Sequence, residues 1–538
     1  MEQQYEMMAK TFMGLEPILS QELTELGANN IVAGRRVVFF TGDKAMMYRA
    51  NMQLRTAIRI LKPIKHFTAS TADEVYENVK QINWSDYLDV KQTFAVDSVV
   101  YSDDFHHSKF VAYKVKDAIV DQFRDTLGTR PNVSVTNPDI RLHIHIADND
   151  CTLCLDSSGA SLHRRGYRQE GGEAPVNESL AAGLILMTGW HGDKDFIDPM
   201  CGSGTFLIEA ALIALNMAPG LFHREYAFEK WPDFDQNLFD EIYNDDSKER
   251  EFTHHIYGYD IDIKAVNTAK LNIKAAGLSK YITVAQQDFK DFKQPSEPAI
   301  MVTNPPYGQR ISTPDLLGTY DMIGQQLKHN FKGNDAWVLS YNEECFDAIG
   351  LRPSLKIPVY NGSLECEFRK YQMFEGKLSD YREAGNILKT DEEKQLMAET
   401  KHHKKSRGDF KKHLEEIEND ESDIRSFEFR KYNYVDQYDR RDRRGSRDYN
   451  DRRGDRDYRD RRESRGYNSD RNDRGWHDRR DNGRDDRRSY GRRDYNDRDR
   501  GSRNYGNRDY NSRRNDYGTR KYSRRNDRDD YNKNTEDE

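Results

Sequence analysis

Lys194-Asp195-Phe196-Ile197-Asp198-Pro199-Met200-Cys201-Gly202-Ser203-Gly204-Thr205 decides how the rest of this chain is read. Its first four residues are a short apolar strand. Asp198 to Thr205 is a turn with two glycines, and Phe206 to Met217 is a helix rich in Ala, Leu and Ile. Strand, glycine turn and helix together place an anionic or nucleotide-like ligand at the carboxyl edge of a parallel sheet. Spacing speaks against two nucleotide sites. The turn lacks the G-x-G-x-x-G of a dinucleotide fold, and no Gly-Lys-Ser/Thr follows as in a P-loop. Gly202 and Gly204 let the backbone turn tightly against a ligand, with Thr205 opening the helix beside them. Asp198, at the strand end, faces a cationic group of that ligand.

Outward from this turn, the next strand, His255 to Tyr259, runs into Asp260-Ile261-Asp262. A carboxylate at the tip of a second strand accepts ribose hydroxyls, and Asp260 is placed for that, with Ile261 beside it. It comes later than the usual twenty or so residues because Leu221 to Glu251 reads as an insertion. That insertion, holding Trp231, Phe234, Phe239 and Tyr243, reads as a helical lid or packing element. A third strand, Tyr281 to Val284, leads to Asp288-Phe289, a carboxylate for an adenine amino group and a ring to pack on the base. Three acidic strand ends suit S-adenosyl-L-methionine and would repel a pyrophosphate.

The fourth strand, Ala299 to Thr303, delivers Asn304-Pro305-Pro306-Tyr307. An exocyclic base amine is a poor nucleophile because its lone pair is delocalised into the ring. The Asn304 side-chain oxygen and the Pro305 carbonyl can accept its two N–H groups and stabilise the charge that grows on nitrogen. Pro305 and Pro306 stiffen the turn before substrate arrives, and Tyr307 supplies a face for an extruded base. Pro-Pro-Tyr in isolation is more often a turn; its place behind three acidic strand ends favours catalysis.

At these residues the sequence resembles the bacterial THUMP-domain RNA guanine-N2 methyltransferases, closest to those of 23S ribosomal RNA. The resemblance runs from near the N-terminus to about Lys377. It rests on Asp198 to Thr205, on Asn304 to Tyr307, on His163-Arg164-Arg165-Gly166-Tyr167-Arg168, and on Ala174-Pro175-Val176-Asn177-Glu178. It implies an α/β fold, a ferredoxin-like and THUMP RNA-binding region ahead of a Rossmann-like class I methyltransferase domain. It also implies that Asn177 and Glu178 cap the cofactor site. Asn-Pro-Pro-Tyr is shared with adenine-N6 methyltransferases, so it does not choose the base.

The expected domains are an N-terminal α/β module at 1–65, a THUMP domain at 66–157, a linker at 158–172 and the catalytic domain at 173–377. A charged, partly helical stretch at 378–430 and a disordered tail at 431–538 follow. In the N-terminal module Arg35, Arg36, Arg55 and Arg59 read as solvated charge. In the THUMP region the strand Ile140 to Ile146 alternates, with Arg141, His143 and His145 on one face, either toward RNA or as the polar side of a half-buried sheet. Cys151 and Cys154 stand three apart in a strand and so on opposite faces, which argues against a metal. Arg164, Arg165 and Arg168 in the linker and Arg310 beyond Tyr307 are candidates for RNA contact, the linker arginines alternatively bracing the interface.

The 5 cysteines are scattered and no N-terminal run has signal or membrane length, so the expected place is the cytoplasm, with no membrane partner. A mean hydropathy of -0.99 is too polar for a uniformly globular chain. The cause is local: after Val435 there is no Ala, Val, Ile, Leu, Met or Phe. Residues 431–538 hold 34 of the 84 Lys and Arg and 26 of the 92 Asp and Glu, a net of +8. The preceding body is therefore net -16, within a total of -8. Arg with interleaved Tyr reads either as a sequence-tolerant RNA grip or as a self-neutralising polyampholyte. The expected activity is methyl transfer to a guanine N2, ribosomal RNA being favoured. Transfer RNA, adenine-N6 methylation and a non-catalytic RNA-binding assembly role stand as alternatives.

Overall fold

The parallel sheet forms around the opening strand. In the computed structural model, residues 3–169, 175–223, 225–306, 315–362 and 364–374 are described, with isolated positions from 376 to 394. They all lie in the first of two compact units, Met1–Asp455 and Arg456–Glu538. The tail, the 378–430 stretch as a segment, Tyr307 and Arg310 fall outside the described residues.

The N-terminal half is one eight-stranded sheet. It is built from β1 (Tyr5–Lys10), α1 (Glu16–Leu26), β2 (Asn29–Gly34), β3 (Val37–Gly42), α2 (Lys44–Gln53) and β4 (Arg59–Thr68), then α3 (Ala72–Lys80), β5 (Thr93–Tyr101), α4 (Ser108–Leu127), β6 (Asn132–Val133), β7 (Ile140–Ala147) and β8 (Asp150–Asp156). The strand order is β2-β3-β1-β4-β8-β7-β5-β6. The expected boundary at 65/66 falls inside β4, which pairs with β1 on one edge and β8 on the other. Register with β8 shifts between Pro63 and Lys65, as a proline without an N–H donor favours. One core serves both modules, with Phe40 and Ile60 packed in the same cluster as Val115 and Leu142.

β7 buries Ile140, Leu142, Ile144 and Ile146 and turns Arg141, His143 and His145 to the other face. Arg141 pairs there with Asp97 at 2.8 Å. His143 Nε2 lies 3.4 Å from Asp156, and burial pushes its pKa well below the ordinary value, so this face presents neutral imidazole rather than a row of cations. Cys151 and Cys154 are both buried and belong to different core clusters, on opposite faces of β8.

The catalytic half follows with α5 (Glu178–Met187), β9 (Asp195–Asp198), α6 (Thr205–Ala214), α7 (Gln236–Tyr243), β10 (Ile256–Asp260), α8 (Ile263–Ala275) and β11 (Ile282–Gln286), then β12 (Ala299–Thr303), α9 (Leu316–Asn330), β13 (Asp335–Ser340), α10 (Glu343–Ala348), β14 (Leu355–Asn361) and β15 (Leu364–Gln372). The seven strands run β11-β10-β9-β12-β13-β15-β14, with β12 central, β9 beside it and β15 antiparallel to both neighbours. The order reverses between β9 and β12, and ligands bind at such a switch point, outside the carboxyl ends of the strands.

The insertion is a packing element. Phe228 stacks on Tyr48 of α2 at 4.4 Å, Phe239 meets the same ring edge-on at 5.8 Å, and Tyr226, Trp231 and Ile242 join the N-terminal core. Its aromatic side is thereby occupied inside the protein, not turned to substrate.

Candidate active site

At the switch point, β9 ends in Asp198, which is 1% exposed. Its Oδ1 accepts the Thr303 hydroxyl at 2.9 Å and the Met200 N–H at 3.2 Å. Burial, with Asp260 nearby adding repulsion, raises its carboxyl to about 7. Asp260 at the tip of β10 accepts the Gly202 N–H at 2.9 Å and the Asp262 N–H at 2.9 Å, and burial raises its pKa too. Two adjacent strand tips thus hold carboxyls that form no ion pair among the described residues. A cationic ligand supplies a countercharge, while a diphosphate would add to the repulsion.

The turn between them leaves room for such a ligand. Gly202 has φ +52, and a Cβ there would meet nothing within 4 Å. Gly204 caps α6 at φ +83, where a Cβ would come within 3.1 Å of Ala269 in α8. Ile261 is 66% exposed at the β10 tip, an aliphatic surface beside the acidic pair. Asp288 caps a short turn after β11, and its contact with Lys290 at 2.8 Å holds its carboxyl below the ordinary value.

β12 lies beside β9 in the sheet, so Thr303, bonded to Asp198, brings the next residue to the same edge. That residue, Asn304, has its Oδ1 buried with no hydrogen-bond partner among the described residues. A buried acceptor left open costs about 1 to 3 kcal/mol, a cost that an incoming N–H removes. Thr303 itself went unnoticed in the sequence. It is the polar end of an otherwise apolar strand buried along its whole length, and such a residue requires a partner.

Comparison with known proteins gives the same order of modules. An RlmL ferredoxin-like domain matches residues 6–61, a THUMP domain residues 69–156, and an RMKL-like methyltransferase domain residues 165–370. The Synechocystis sp. (strain ATCC 27184 / PCC 6803 / Kazusa) protein slr0064, an RNA methyltransferase by name, is 41% identical over 364 residues, which is 67% of this chain and 95% of that one. This chain belongs to the THUMP-domain RNA methyltransferases. Ribosomal RNA large subunit methyltransferase K/L of Syntrophotalea carbinolica is 38% identical over 375 residues, 67% of this chain and 53% of that protein. The chain thus spans about half the length of the K/L relatives it matches. Among solved structures, SMU.472 in complex with SAH superposes with a TM-score of 0.64 at 29% identity, covering 70% of this chain and all of that one. A "predicted N6-adenine-specific DNA methylase" from Listeria monocytogenes gives 0.62 at 31% identity, covering 69% of this chain and 97% of that one.

As a member of this family the protein uses S-adenosyl-L-methionine as its methyl donor and RNA as its substrate. The acidic strand tips and the open side of Gly202 fit that cofactor. Other expected site residues are placed differently. Arg165, expected at RNA, is 2% exposed and held inside the protein by Leu162, Arg55 and Glu209. Arg168 points to the Gly202–Gly204 turn, bonded to Glu178, Ser203 and Thr205, so it braces that turn. Arg164 is exposed and remains a surface cation. Arg55 is buried and Arg59 pairs with Asp156, so neither is part of a solvated face.

The Phe289 ring is 3% exposed and packs on Phe292 in the core, so it has no free face for adenine. Thr205 turns its hydroxyl to Arg168, which leaves its backbone as the group at the turn. Asn177 caps α5 through Ser179 and Leu180, placing its carboxamide oxygen on the helix. Pro305 is buried.

Proposed function

We propose that this protein methylates the exocyclic N2 amine of a guanine, in 23S ribosomal RNA, in the cytoplasm. The observation that carries the reading is the buried Asn304 Oδ1, unpartnered among the described residues and one residue from a threonine bonded to Asp198. Bound S-adenosyl-L-methionine supplies an electrophilic methyl group on a sulfonium. The protein holds the amine. Asn304 Oδ1 and the Pro305 carbonyl accept its two N–H groups and direct the nitrogen lone pair at the methyl carbon. When that nitrogen takes the methyl group it would gather positive charge, which the two oxygens would stabilise. The amine then loses one proton to water, with no dedicated base required. Asp198 and Asp260 bind the cofactor's ammonium and ribose, and Ile261 supports its adenine.

The K/L names of the relatives support ribosomal RNA. The Listeria structure's title supports adenine N6 as the second reading, since Asn-Pro-Pro-Tyr serves either amine. Nucleoside analysis of 23S, 16S and transfer RNA from cells lacking this protein separates them. Loss of N2-methylguanosine from 23S RNA is expected. Loss of N6-methyladenosine instead, or of N2-methylguanosine from transfer RNA alone, refutes the reading.

A further inference from the structure

The linker, expected either to touch RNA or to brace the interface, is tied down at Arg165, Tyr167 and Arg168. Arg165 reaches back to the N-terminal half. Its Nη1 donates to the Leu162 carbonyl at 2.9 Å and its Nη2 to the Arg55 carbonyl, while its Nε stands 3.6 Å from Glu209 of α6. Gly166 follows at φ +109, where a Cβ would lie 2.0 Å from the Phe222 carbonyl, so only glycine passes. Tyr167 is buried and its hydroxyl donates to Glu209 Oε1 at 2.8 Å.

Arg168 then divides one guanidinium among three acceptors. Nε donates to Glu178 Oε1 at 2.8 Å, Nη1 to Ser203 Oγ at 3.0 Å and Nη2 to Thr205 Oγ1 at 3.0 Å. The Gln169 N–H donates to Asn272 Oδ1 at 2.9 Å, and Asn272 Nδ2 donates to the Ser203 carbonyl at 3.0 Å. Ser203, the residue between the two glycines of the cofactor turn, is therefore gripped on both its side chain and its backbone.

We propose that Arg168 is the positioning residue of the cofactor turn, acting through Ser203 and Thr205 to hold Gly202 and Gly204 in the conformation that receives S-adenosyl-L-methionine. A turn of Gly-Ser-Gly has little conformational preference of its own and loses much freedom on ordering. The planar guanidinium fork fixes two hydroxyls at once while Glu178 fixes the fork, a geometry that a lysine ammonium cannot reproduce. Arg168 touches no reacting atom, so its effect falls on cofactor affinity. The same linker anchors the turn to the RNA-binding half, because Arg165 is bound there three residues earlier.

The proposal rests on the cofactor assignment, and the test keeps the two apart. Calorimetric titration with S-adenosylhomocysteine is made on the full chain and on R168A, R168K, S203A and the double variant R168A/S203A. Binding of deproteinised 23S ribosomal RNA is measured on each. Wild type failing to bind S-adenosylhomocysteine overturns the cofactor assignment itself. If wild type binds, R168A is expected to weaken that binding about tenfold or more, as loss of groups that orient ligating residues does, with R168K in between. The double variant is expected to be no weaker than about R168A alone, because both changes cut one contact. The KM for S-adenosyl-L-methionine rises and RNA affinity stays within about twofold, a split that general destabilisation would not give. Cofactor affinity unchanged in R168A, losses that multiply in the double variant, or loss of RNA binding with cofactor binding intact each overturn it. Should R168A fail to fold, R168K binding S-adenosylhomocysteine as wild type does overturns it equally.

Discussion

Cofactor affinity is expected to fall as pH drops through 7, because Asp198 takes up a proton there. Its carboxyl is raised from the ordinary 3.8 to about 7, chiefly by burial at the tip of β9. In the site proposed here the cofactor's ammonium needs the ionised form. If only the carboxylate binds, apparent affinity scales with the ionised fraction, which goes from roughly 0.9 at pH 8 to roughly 0.1 at pH 6, about a tenfold loss or 1.4 kcal/mol. The free protein shows the reverse sign in stability. Between about pH 4 and 7 the folded state holds a proton that the unfolded state has released. The stabilisation from this group is complete below about 4 and is lost as pH rises to 7, a cost of up to about 4 kcal/mol. Calorimetry with S-adenosylhomocysteine at pH 6, 7 and 8, in buffers of different ionisation enthalpy, measures both affinity and proton release. About half a proton should be released on binding at pH 7, and D198N should bind weakly with a flat profile. The D260N variant, which keeps Asp198, should retain the slope. Flat wild-type affinity across this range with no proton released would refute the electrostatic account of the cradle.

Three further outcomes follow from the geometry. N304A should bind S-adenosylhomocysteine within about twofold of wild type, yet lose on the order of 100-fold or more in methyl transfer, since the lost acceptor acts on the transition state; single-turnover transfer to RNA checks this. G204A should lose about 1 to 3 kcal/mol in denaturant unfolding, because φ +83 and the 3.1 Å approach to Ala269 both oppose a Cβ. R165M, which removes the cation beside the fully buried Glu209, should lower thermal stability by about 3 kcal/mol or more, and E209Q in the same chain should restore part of it.

Much of the catalytic half is legible locally. An apolar strand ending in a carboxylate, then glycines, then an apolar helix admits few alternatives, and Asp198, Asp260 and Asn304 all emerge at one sheet edge. The alternating β7 was equally plain. The linker arginines stayed open between RNA contact and bracing, since a basic run reads alike whether or not acceptors wait for it. Arg165 finds Glu209 and Arg168 finds Ser203, partners 44 and 35 residues away that no local pattern announces. The insertion was open for the same reason: its aromatic rings are explained by Tyr48, some 180 residues earlier.

Local chemistry and periodicity alone determined the order of strands and helices around the glycine turn, the sign of charge at the strand tips and the stiff Asn-Pro-Pro corner, because each depends on neighbours in the chain. Folding decided which charges are buried and what they hold. Only the packed sheet sets Thr303 against Asp198, merges two expected modules into one core through β4, and ties a basic linker to the Gly202–Gly204 turn. A side chain's partner, and with it its pKa and its task, is fixed by residues that approach only when the chain closes on itself.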